Sequence, residues 1–173
     1  RIAILGSNGA GKSTFFLNLN GVLTPAEGEI SYRGTKITRK TLKKLRQHIG
    51  IVFQDADNQI IASSVLAEVS FGPMNLKLPR SEVKKRVNTA LNYMNISQFK
   101  DRPPHYLSGG EKKRVSIADI IAMKSEIIIF DEPTASLDPL NAAMLEEVLE
   151  KLSREGKTLL LSTHDVDFAY RFA

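Results

Sequence analysis

The segment from Gly6 to Ser13 has the residue types and the spacing of a phosphate-binding loop, G-x-x-x-x-G-K-[ST]. Glycines allow the backbone to curl so that successive N–H groups point at phosphate oxygens, the Lys12 ammonium adds a positive charge, and the Ser13 hydroxyl is a ligand for Mg²⁺. An apolar run precedes the loop and a helical pattern follows it, which is the context that this motif requires. A nucleoside triphosphate site is therefore predicted, with the contacts Asn8, Gly9, Ala10, Gly11, Lys12, Ser13 and Thr14.

Two carboxylates, Asp131 and Glu132, follow the apolar run Ile127–Phe130. Four large apolar residues in succession indicate a strand covered on both faces of a parallel sheet, and such sheets hold ligands at the carboxyl ends of their strands. Asp131 is then placed to hold Mg²⁺ beside Ser13, and Glu132 to polarise the attacking water as general base. The alternative is a solvated acidic turn before Pro133, but the phosphate loop favours the chemical interpretation.

Gln54 and His164 each follow a predicted strand and therefore reach the same edge of the sheet. The Gln54 amide can contact the Mg²⁺ shell or the attacking water, although a lone glutamine after a strand usually has no such role. A neutral His164 imidazole can contact the γ-phosphate and hold the attacking water in line. Asp138 can serve the site or cap the next helix, and the two roles are compatible. His48 and His105 lack such a setting and are interpreted as structural.

A second glycine-rich segment, Leu107 to Glu111 (LSGGE), opens a predicted helix. Ser108, Gly109 and Gly110 at a helix start predict a second anion site. Because one triphosphate does not need two such sites from the same chain, we expect the second site to serve the nucleotide of another subunit.

Strands and helices alternate along the chain and position these residues. Strands are predicted over 1–5 (buried), 28–32, 49–53, 126–131 and 157–162, and helices over 13–20, 41–48, 108–123, 139–154 and from 166 onward, with Gly156 as a C-cap glycine. Residues 59–106 lose the strand pattern, and a helix starting at Pro79 carries the apolar stripe Val83, Val87, Leu91 and Met94. The prediction is an α/β P-loop NTPase fold, in which a mainly parallel sheet core (1–58 and 107–173) carries an inserted helical subdomain (59–106).

Composition and charge limit the classes of protein to be considered. The 173 residues are 42% hydrophobic and 25% charged, which are globular values, and no apolar run approaches the ~18 residues that cross a bilayer. The absence of cysteine excludes disulfides and thiolate sites. The net charge is +5, with seven Lys or Arg and no acid between Ile30 and Gln54. This basic run is either a nucleic-acid footprint or a solvated face near an anionic membrane, and the few aromatics favour the second.

The chain opens inside a predicted strand and stops inside a predicted helix, so we expect both ends to continue in a longer polypeptide.

In combination and in order, these motifs resemble those of ATP-binding cassette (ABC) ATPases, over nearly the whole chain. The resemblance implies ATP and Mg²⁺ as ligands, with Ser13, Gln54 and Asp131 around the metal, and a homo- or heterodimer arranged head to tail. In that dimer two ATP molecules lie between opposing phosphate loops and LSGGE segments, so Ser108 and Gly110 act in trans. The resemblance further implies integral-membrane transporter subunits as partners, a peripheral position on the cytoplasmic face of the cell membrane, and no direct nucleic-acid partner.

Segments 52–59 (VFQDADNQ) and 69–73 (VSFGP) resemble more narrowly the ATPases of energy-coupling-factor importers, especially those for cobalt and nickel. Three residues depart from the family pattern: Ser7 replaces a frequent proline, Glu111 a usual glutamine, and Asp119 a small residue. None of them removes a catalytic group. The family's adenine-stacking aromatic would lie before Arg1.

The function favoured by the sequence is an ATPase that powers the uptake of a small solute, with cobalt or another transition-metal ion as the first candidate. An ABC ATPase acting on nucleic acid or ribosomes is the alternative, and the lack of a long heptad-patterned insertion disfavours its DNA-repair branch. A nucleotide-binding module without turnover is disfavoured by the presence of Gln54, Glu132 and His164. An exporter ATPase stays open, because membrane subunits set the direction of transport.

Overall fold

The computed structural model describes residues 1–135 and 137–173. The strands are, in chain order, β1 Ile2–Leu5, β2 Ser31–Tyr32, β3 Thr35–Lys36, β4 Ile49–Val52, β5 Ile127–Phe130 and β6 Thr158–Thr163. The helices are α1 Lys12–Leu19, α2 Leu42–Leu45, α3 Val65–Asn75, α4 Arg80–Tyr93, α5 Gly109–Met123, α6 Pro139–Arg154 and α7 Val166–Phe172. Single 3₁₀ turns lie at Ala56–Asn58, Ser97–Phe99 and Pro104–Tyr106.

Strands β1, β6, β5 and β4 form one parallel sheet in that order. The paired residues at their carboxyl ends include Leu5 with Thr163 and Val52 with Phe130. Because all four strands run in the same direction, the loops that follow them meet at one edge of the sheet. The predicted parallel α/β sheet is confirmed, and its carboxyl edge carries the phosphate loop, Gln54, the acid pair and His164.

Apolar layers cover both faces of this sheet. Strand β5 shows the division, since Ile128 and Phe130 pack into a large cluster while Ile129 packs on the opposite side. The large cluster includes the helices α3, α4 and α5, and the smaller cluster includes Phe16 of α1 and Leu45 of α2. The interpretation of the Ile127–Phe130 run as a strand covered on both faces is therefore confirmed.

The block between β4 and α5 is helical, as predicted. Val87, Leu91 and Met94 of the predicted stripe are buried in the large cluster, and Val83 packs against it half-buried. Helix α3 was not delimited by the sequence, because Gly72 and Pro73 interrupt its pattern with two poor helix formers. Pro73 is nevertheless tolerated inside α3, and Gly72 lies directly against the Met123 side chain.

Three predictions about elements are wrong. Strand β1 is not buried: Ile2 and Leu5 are each 51% exposed, because β1 is an edge strand of the described sheet. The strand predicted over 28–32 is only the two-residue β2, which pairs antiparallel with β3 around a turn at Arg33 and Gly34, both with positive φ. The helix predicted over 41–48 shortens to the four-residue α2, because the chain turns out of the helix to enter β4.

Across the described ranges, no helix combines the length and the apolar character that a membrane span requires.

Candidate active site

The phosphate loop joins β1 to α1 and has the backbone that its glycines permit. Gly9 and Gly11 have φ values of 81° and 90°, in the left-handed region that favours glycine. Gly11 is the N-cap of α1 and, within the part of the chain that the structure describes, no side chain caps the helix. The N–H groups of the first turn are therefore free to receive an anion, and the Ser13 and Thr14 positions at this turn are exposed.

Lys12, Glu132 and His164 form one contiguous array across the carboxyl edge of the sheet. Lys12 Nζ donates to the carbonyl oxygens of Gly6 (2.7 Å) and Ser7 (3.1 Å) and lies 3.1 Å from Glu132 Oε1. Glu132 Oε2 lies 3.0 Å from His164 Nδ1. The side chains of Lys12 and Glu132 are 8% and 7% exposed, whereas that of His164 is 60% exposed. The structure therefore brings three of the predicted site residues into direct contact.

Ser162, near the end of β6, holds the two acidic residues in place. Its hydroxyl donates to Asp131 Oδ1 (2.6 Å) and accepts from the backbone N–H of Glu132 (2.9 Å). Both acids are 5% exposed, and Glu132 has a φ of 42° in the left-handed region, which is unusual for a residue with a side chain. Ser162 was not assigned a role from sequence, although a hydroxyl near the end of an apolar strand is a usable signal.

Gln54 lies where predicted, directly beyond β4, and its side chain is exposed at the carboxyl edge. The carbonyl oxygens of Phe53 and Gln54 accept hydrogen bonds from Lys113 Nζ of α5, at 2.8 Å and 2.5 Å. Lys113 is 4% exposed. Burial lowers the pKa of Lys113 to about 8, against the opposing effect of the Asp55 and Asp131 carboxylates.

The sequence analysis assigned no role to Lys113 and missed this contact. Its spacing is a usable signal, because Lys113 lies three residues before Ser116 and four before Ile117. This spacing places all three residues on one face of α5, which is the buried face.

The LSGGE segment forms a reciprocal cap at the start of α5. Ser108 N–H and Ser108 Oγ both donate to Glu111 Oε2, at 2.7 Å and 2.9 Å, and Glu111 N–H donates to Ser108 Oγ at 3.4 Å. The backbone N–H of Ser108 is the main cause of a lowered Glu111 pKa. A glutamate therefore performs the capping role at the position where glutamine is usual.

Asp138 is the N-cap of α6, so this interpretation of its role is confirmed. Its carboxylate accepts from Asn141 N–H (3.0 Å) and Asn141 Nδ2 (2.5 Å), which lowers the pKa of Asp138. A Cβ added to Gly110 would lie 2.5 Å from Asn141 Cγ, so Gly110 permits the close approach of α5 to α6. Ser136, in the same loop as Asp138, lies outside the described residues.

The described contacts separate the predicted site into two parts. Lys12, Asp131, Glu132 and His164 meet directly or through Ser162. In contrast, no hydrogen bond or ion pair within residues 1–135 and 137–173 joins Ser108, Gly109 or Gly110 to the phosphate loop. Gln54 joins neither part by the described hydrogen bonds of its side chain, and Lys113 bonds the backbone carbonyl of Gln54 to helix α5 of the second part.

The histidines interpreted as structural lie apart from this array. His48 Nδ1 is 3.1 Å from Glu126 Oε1, and its ring packs beside that of Tyr32. His105 packs against Tyr106.

A phosphate loop on a parallel sheet, facing an acid pair at the end of the central strand, defines a P-loop NTPase fold. The family model described as ABC transporter matches residues 1–135, and the chain belongs to the ABC transporter family.

Comparison with known proteins gives close relatives within this family. The energy-coupling factor transporter ATP-binding protein EcfA of Methanothermobacter thermautotrophicus is 51% identical over 175 residues, covering 100% of this chain and 56% of the relative. The structure of CbiO1 from Clostridium perfringens, described as part of the ABC transporter complex CbiONQ, superposes with a TM-score of 0.89 at 47% identity and covers 99% of this chain and 70% of that one. The chain spans about half the length of the curated relatives it matches.

A further structural neighbour is a dimeric ATP-binding cassette, MJ0796, in a post-hydrolysis state bound to ADP and Pi. It has a TM-score of 0.86 at 32% identity and covers 99% of this chain and 77% of that one.

Proposed function

We propose that the protein is the ATP-binding and ATP-hydrolysing subunit of an ABC importer of the energy-coupling-factor type. The observation that carries the proposal is the Lys12–Glu132–His164 array, with Lys12 and Glu132 largely shielded from solvent, beside a phosphate loop that no described side chain caps. It combines a cation for phosphate oxygens, a carboxylate for the attacking water and an imidazole bonded to that carboxylate. The names of the relative EcfA and of the neighbour CbiO1 support the class of transporter.

The nucleotide contacts assigned to the phosphate loop fit its geometry. A Cβ added at Gly9 or Gly11 would meet no atom of the described residues within 4 Å, so the loop is not crowded at these two positions. The backbone N–H groups from Asn8 to Thr14 would bind phosphate oxygens, and the helix start adds attraction for negative charge. Lys12 would exchange part of its bonding to Gly6 and Ser7 for the outer phosphates.

Glu132 is the general base of the proposed reaction. Its carboxylate accepts a proton as the water oxygen bonds to the γ-phosphorus, and the bond to the bridging oxygen breaks to release ADP and phosphate. The Ser162 hydroxyl bond to the Glu132 backbone and the His164 contact to its carboxylate hold this side chain in one orientation. This orientation is what positions the attacking water.

Oxygen ligands at the same edge fit the Mg²⁺ ion that accompanies ATP. Ser13, Gln54 and Asp131 would hold it, and the hydrogen bond from Ser162 fixes the direction of the Asp131 carboxylate. When bound, the ion neutralises negative charge on the β- and γ-phosphates.

The LSGGE segment is assigned to the nucleotide of a second subunit, in a head-to-tail homo- or heterodimer. Ser108, Gly109 and Gly110 have the composition of an anion site, yet the described contacts tie them to Glu111 and α6 rather than to the phosphate loop. The dimeric state of MJ0796 supports a dimer. Membrane subunits as partners are supported by the description of CbiO1 as part of a transporter complex. The cytoplasmic face of the membrane is the proposed position of the chain in such a complex.

A transition-metal ion, with cobalt first, is the proposed solute. The test is to purify the intact protein with the membrane subunits of its native host, reconstitute the complex in liposomes and measure ATP-dependent Co²⁺ uptake. We expect uptake with the wild type and with Lys85→Ala, a substitution at an exposed lysine of α4, and none with Lys12→Ala. Failure to recover any membrane subunit would contradict the assignment of the protein to an importer. Unchanged ATP affinity in Lys12→Ala would contradict the site.

A further inference from the structure

We propose that Lys113 is a positioning residue that couples Gln54 of one nucleotide site to the Ser108–Gly110 segment serving the other site. This inference rests on the proposed function, because it requires two nucleotide sites shared by two subunits. It assigns to α5 a role in communication between the sites as well as in contact with nucleotide.

The contact itself is strong and specific. Lys113 Nζ donates to two successive carbonyl oxygens, those of Phe53 (2.8 Å) and Gln54 (2.5 Å). These two residues follow the last residue of β4, so the bonds fix the chain where it leaves the sheet towards the site. Two hydrogen bonds to adjacent peptide groups restrain the orientation of both peptide planes. They therefore also restrain the direction in which the Gln54 side chain leaves the backbone.

Stability alone does not explain this lysine. Lys113 as a whole residue is 4% exposed, and the hydrogen-bond acceptors of its ammonium are neutral carbonyl groups rather than a carboxylate. The Asp55 and Asp131 carboxylates attract this charge, yet burial outweighs them and lowers the pKa of Lys113, so burying the ammonium has a net cost that an apolar side chain of similar length would avoid. A buried charge at this position is better explained by a need for directed hydrogen bonds.

A second side chain ties the same loop to α5. Gln59 Oε1 accepts from Phe53 N–H at 3.2 Å, and Gln59 Nε2 donates to Ser116 O at 3.1 Å. The backbone carbonyl of Phe53 is thus bonded directly to helix α5, and its backbone N–H is linked to the same helix through Gln59. The loop after β4 and this helix therefore move together.

Helix α5 is the rigid element that carries the coupling. It begins at Gly109, immediately after the Ser108 cap, and Lys113 lies five residues after Ser108, which is about 7–8 Å along the helix axis. A displacement of Ser108–Gly110 by a partner's nucleotide is therefore transmitted to the carbonyl of Gln54 in this chain. By thermodynamic reciprocity, nucleotide bound beside Gln54 in this chain changes the affinity of the LSGGE segment for the partner's nucleotide.

The test uses the intact protein and compares ATP turnover, its Hill coefficient and equilibrium ATP affinity among variants. Lys113→Met keeps the length and apolar stem but removes the donors, whereas Lys113→Gln and Lys113→Arg keep a donor. Lys112→Met is the matched control, because Lys112 is on the same helix and bonds the same loop through an exposed partner, Asp57.

We expect Lys113→Met to lower kcat by about tenfold and to reduce the Hill coefficient towards 1, with ATP affinity changed by less than about twofold. At least one of Lys113→Gln and Lys113→Arg should recover turnover and cooperativity, and Lys112→Met should match the wild type. If Lys113→Met does not fold, as judged by circular dichroism, Gln59→Leu provides the second test, with the same predicted loss of cooperativity.

Wild-type cooperativity in the folded Lys113→Met or Gln59→Leu variant would overturn the inference, as would a Hill coefficient of 1 in the wild type. Failure of both donor variants to recover turnover would also overturn it, because packing rather than hydrogen bonding would then explain the loss. The absence of any ATP turnover in the wild type would instead contradict the proposed function.

Discussion

Two glycine-rich segments open two helices of this protein, and they use glycine for different physical reasons. In the phosphate loop before α1, Gly9 and Gly11 supply left-handed backbone, and no described side chain caps the helix. In the LSGGE segment, Gly109 and Gly110 are ordinary helical residues of α5, and Ser108 and Glu111 cap the helix reciprocally. The first segment is thus an uncapped loop, within the described residues, whose backbone suits the proposed phosphate site. The second is a capped helix start whose glycine permits contact with α6.

The two helices differ as well. Helix α1 buries a single residue, Phe16, whereas α5 buries Lys113 and Ser116 among its apolar residues and contacts the loop after β4. The comparison teaches that similar composition at a helix start does not imply a similar site. The phosphate loop leaves the start of α1 without a cap from any described side chain, whereas the LSGGE helix start is capped by its own side chains and its helix also holds the loop after β4.

The largest difference is expected between alanine substitutions in the two segments. Gly11→Ala forces a Cβ into a φ of 90°, which costs about 1–3 kcal/mol and should weaken ATP binding by roughly tenfold to a hundredfold. Gly109→Ala is the control, because its added Cβ meets no described atom within 4 Å and alanine favours a helix by about 1 kcal/mol. Titration calorimetry and thermal unfolding should show weaker binding for the first variant and equal or higher stability for the second. Equal effects of the two substitutions on ATP binding and on stability would contradict the distinction between the two glycine-rich segments.

A second test concerns Asp119, a half-buried residue of α5 with one buried carboxylate oxygen. Burial, reinforced by the charge of Glu68, raises the pKa of Asp119 well above its ordinary value of 3.8. Among the described residues Asp119 Oδ1 finds no hydrogen-bond partner, so Asp119→Ala should stabilise the protein by about 1–3 kcal/mol at neutral pH.

The sign of the pH dependence follows from the raised pKa. Below about pH 3.8 the carboxyl is protonated in both the folded and the unfolded state, so it imposes no charge penalty there. The penalty grows as the pH rises above that value, because only the unfolded state ionises freely. Urea denaturation should therefore show an advantage of Asp119→Ala over wild type that increases with pH. A constant or decreasing advantage would contradict burial of the charge.

The smallest effect is expected for the cap of α5. The pKa of Glu111 is lowered from 4.5, so its stabilising contribution is present above that pH and is lost as the pH falls through the lowered pKa. Glu111→Gln keeps an oxygen acceptor but loses the charge, so unfolding at pH 7 should change by no more than about 1 kcal/mol. Denaturation of the two proteins between pH 3 and 7 should show a reduced pH dependence for Glu111→Gln, and identical curves would exclude an ionic cap.

The sequence predicted best those parts of the molecule in which local chemistry determines local structure. Short-range rules specify a loop at Gly6–Ser13, a strand at the apolar run of β5, and a helix cap at Asp138 before Pro139. All three form as predicted. The exposure of β1 and the shortening of α2 depend on neighbours in the sheet, which hydrophobic pattern alone does not provide.

The parts of the site that were missed are contacts distant in sequence. Ser162 meets Asp131 across 31 positions, and Lys113 meets Phe53 across 60. Neither residue belongs to a motif that carries chemistry by itself, and only the assembled fold shows what each one touches. Polar residues at buried positions of apolar elements were the available signal, and both residues have that character.

The measurement that tests the central claim most directly is ATP turnover of the intact Glu132→Gln variant. The control is Glu150→Gln, which changes an exposed glutamate of α6 that pairs with Arg154. Removing the proposed general base should lower kcat by about 10²–10⁴-fold. Because ATP binding should be retained, the variant should also form an ATP-dependent dimer, measured by light scattering. The control should hydrolyse ATP at the wild-type rate. Undiminished turnover in Glu132→Gln would contradict the assignment of Glu132 and with it the proposed mechanism.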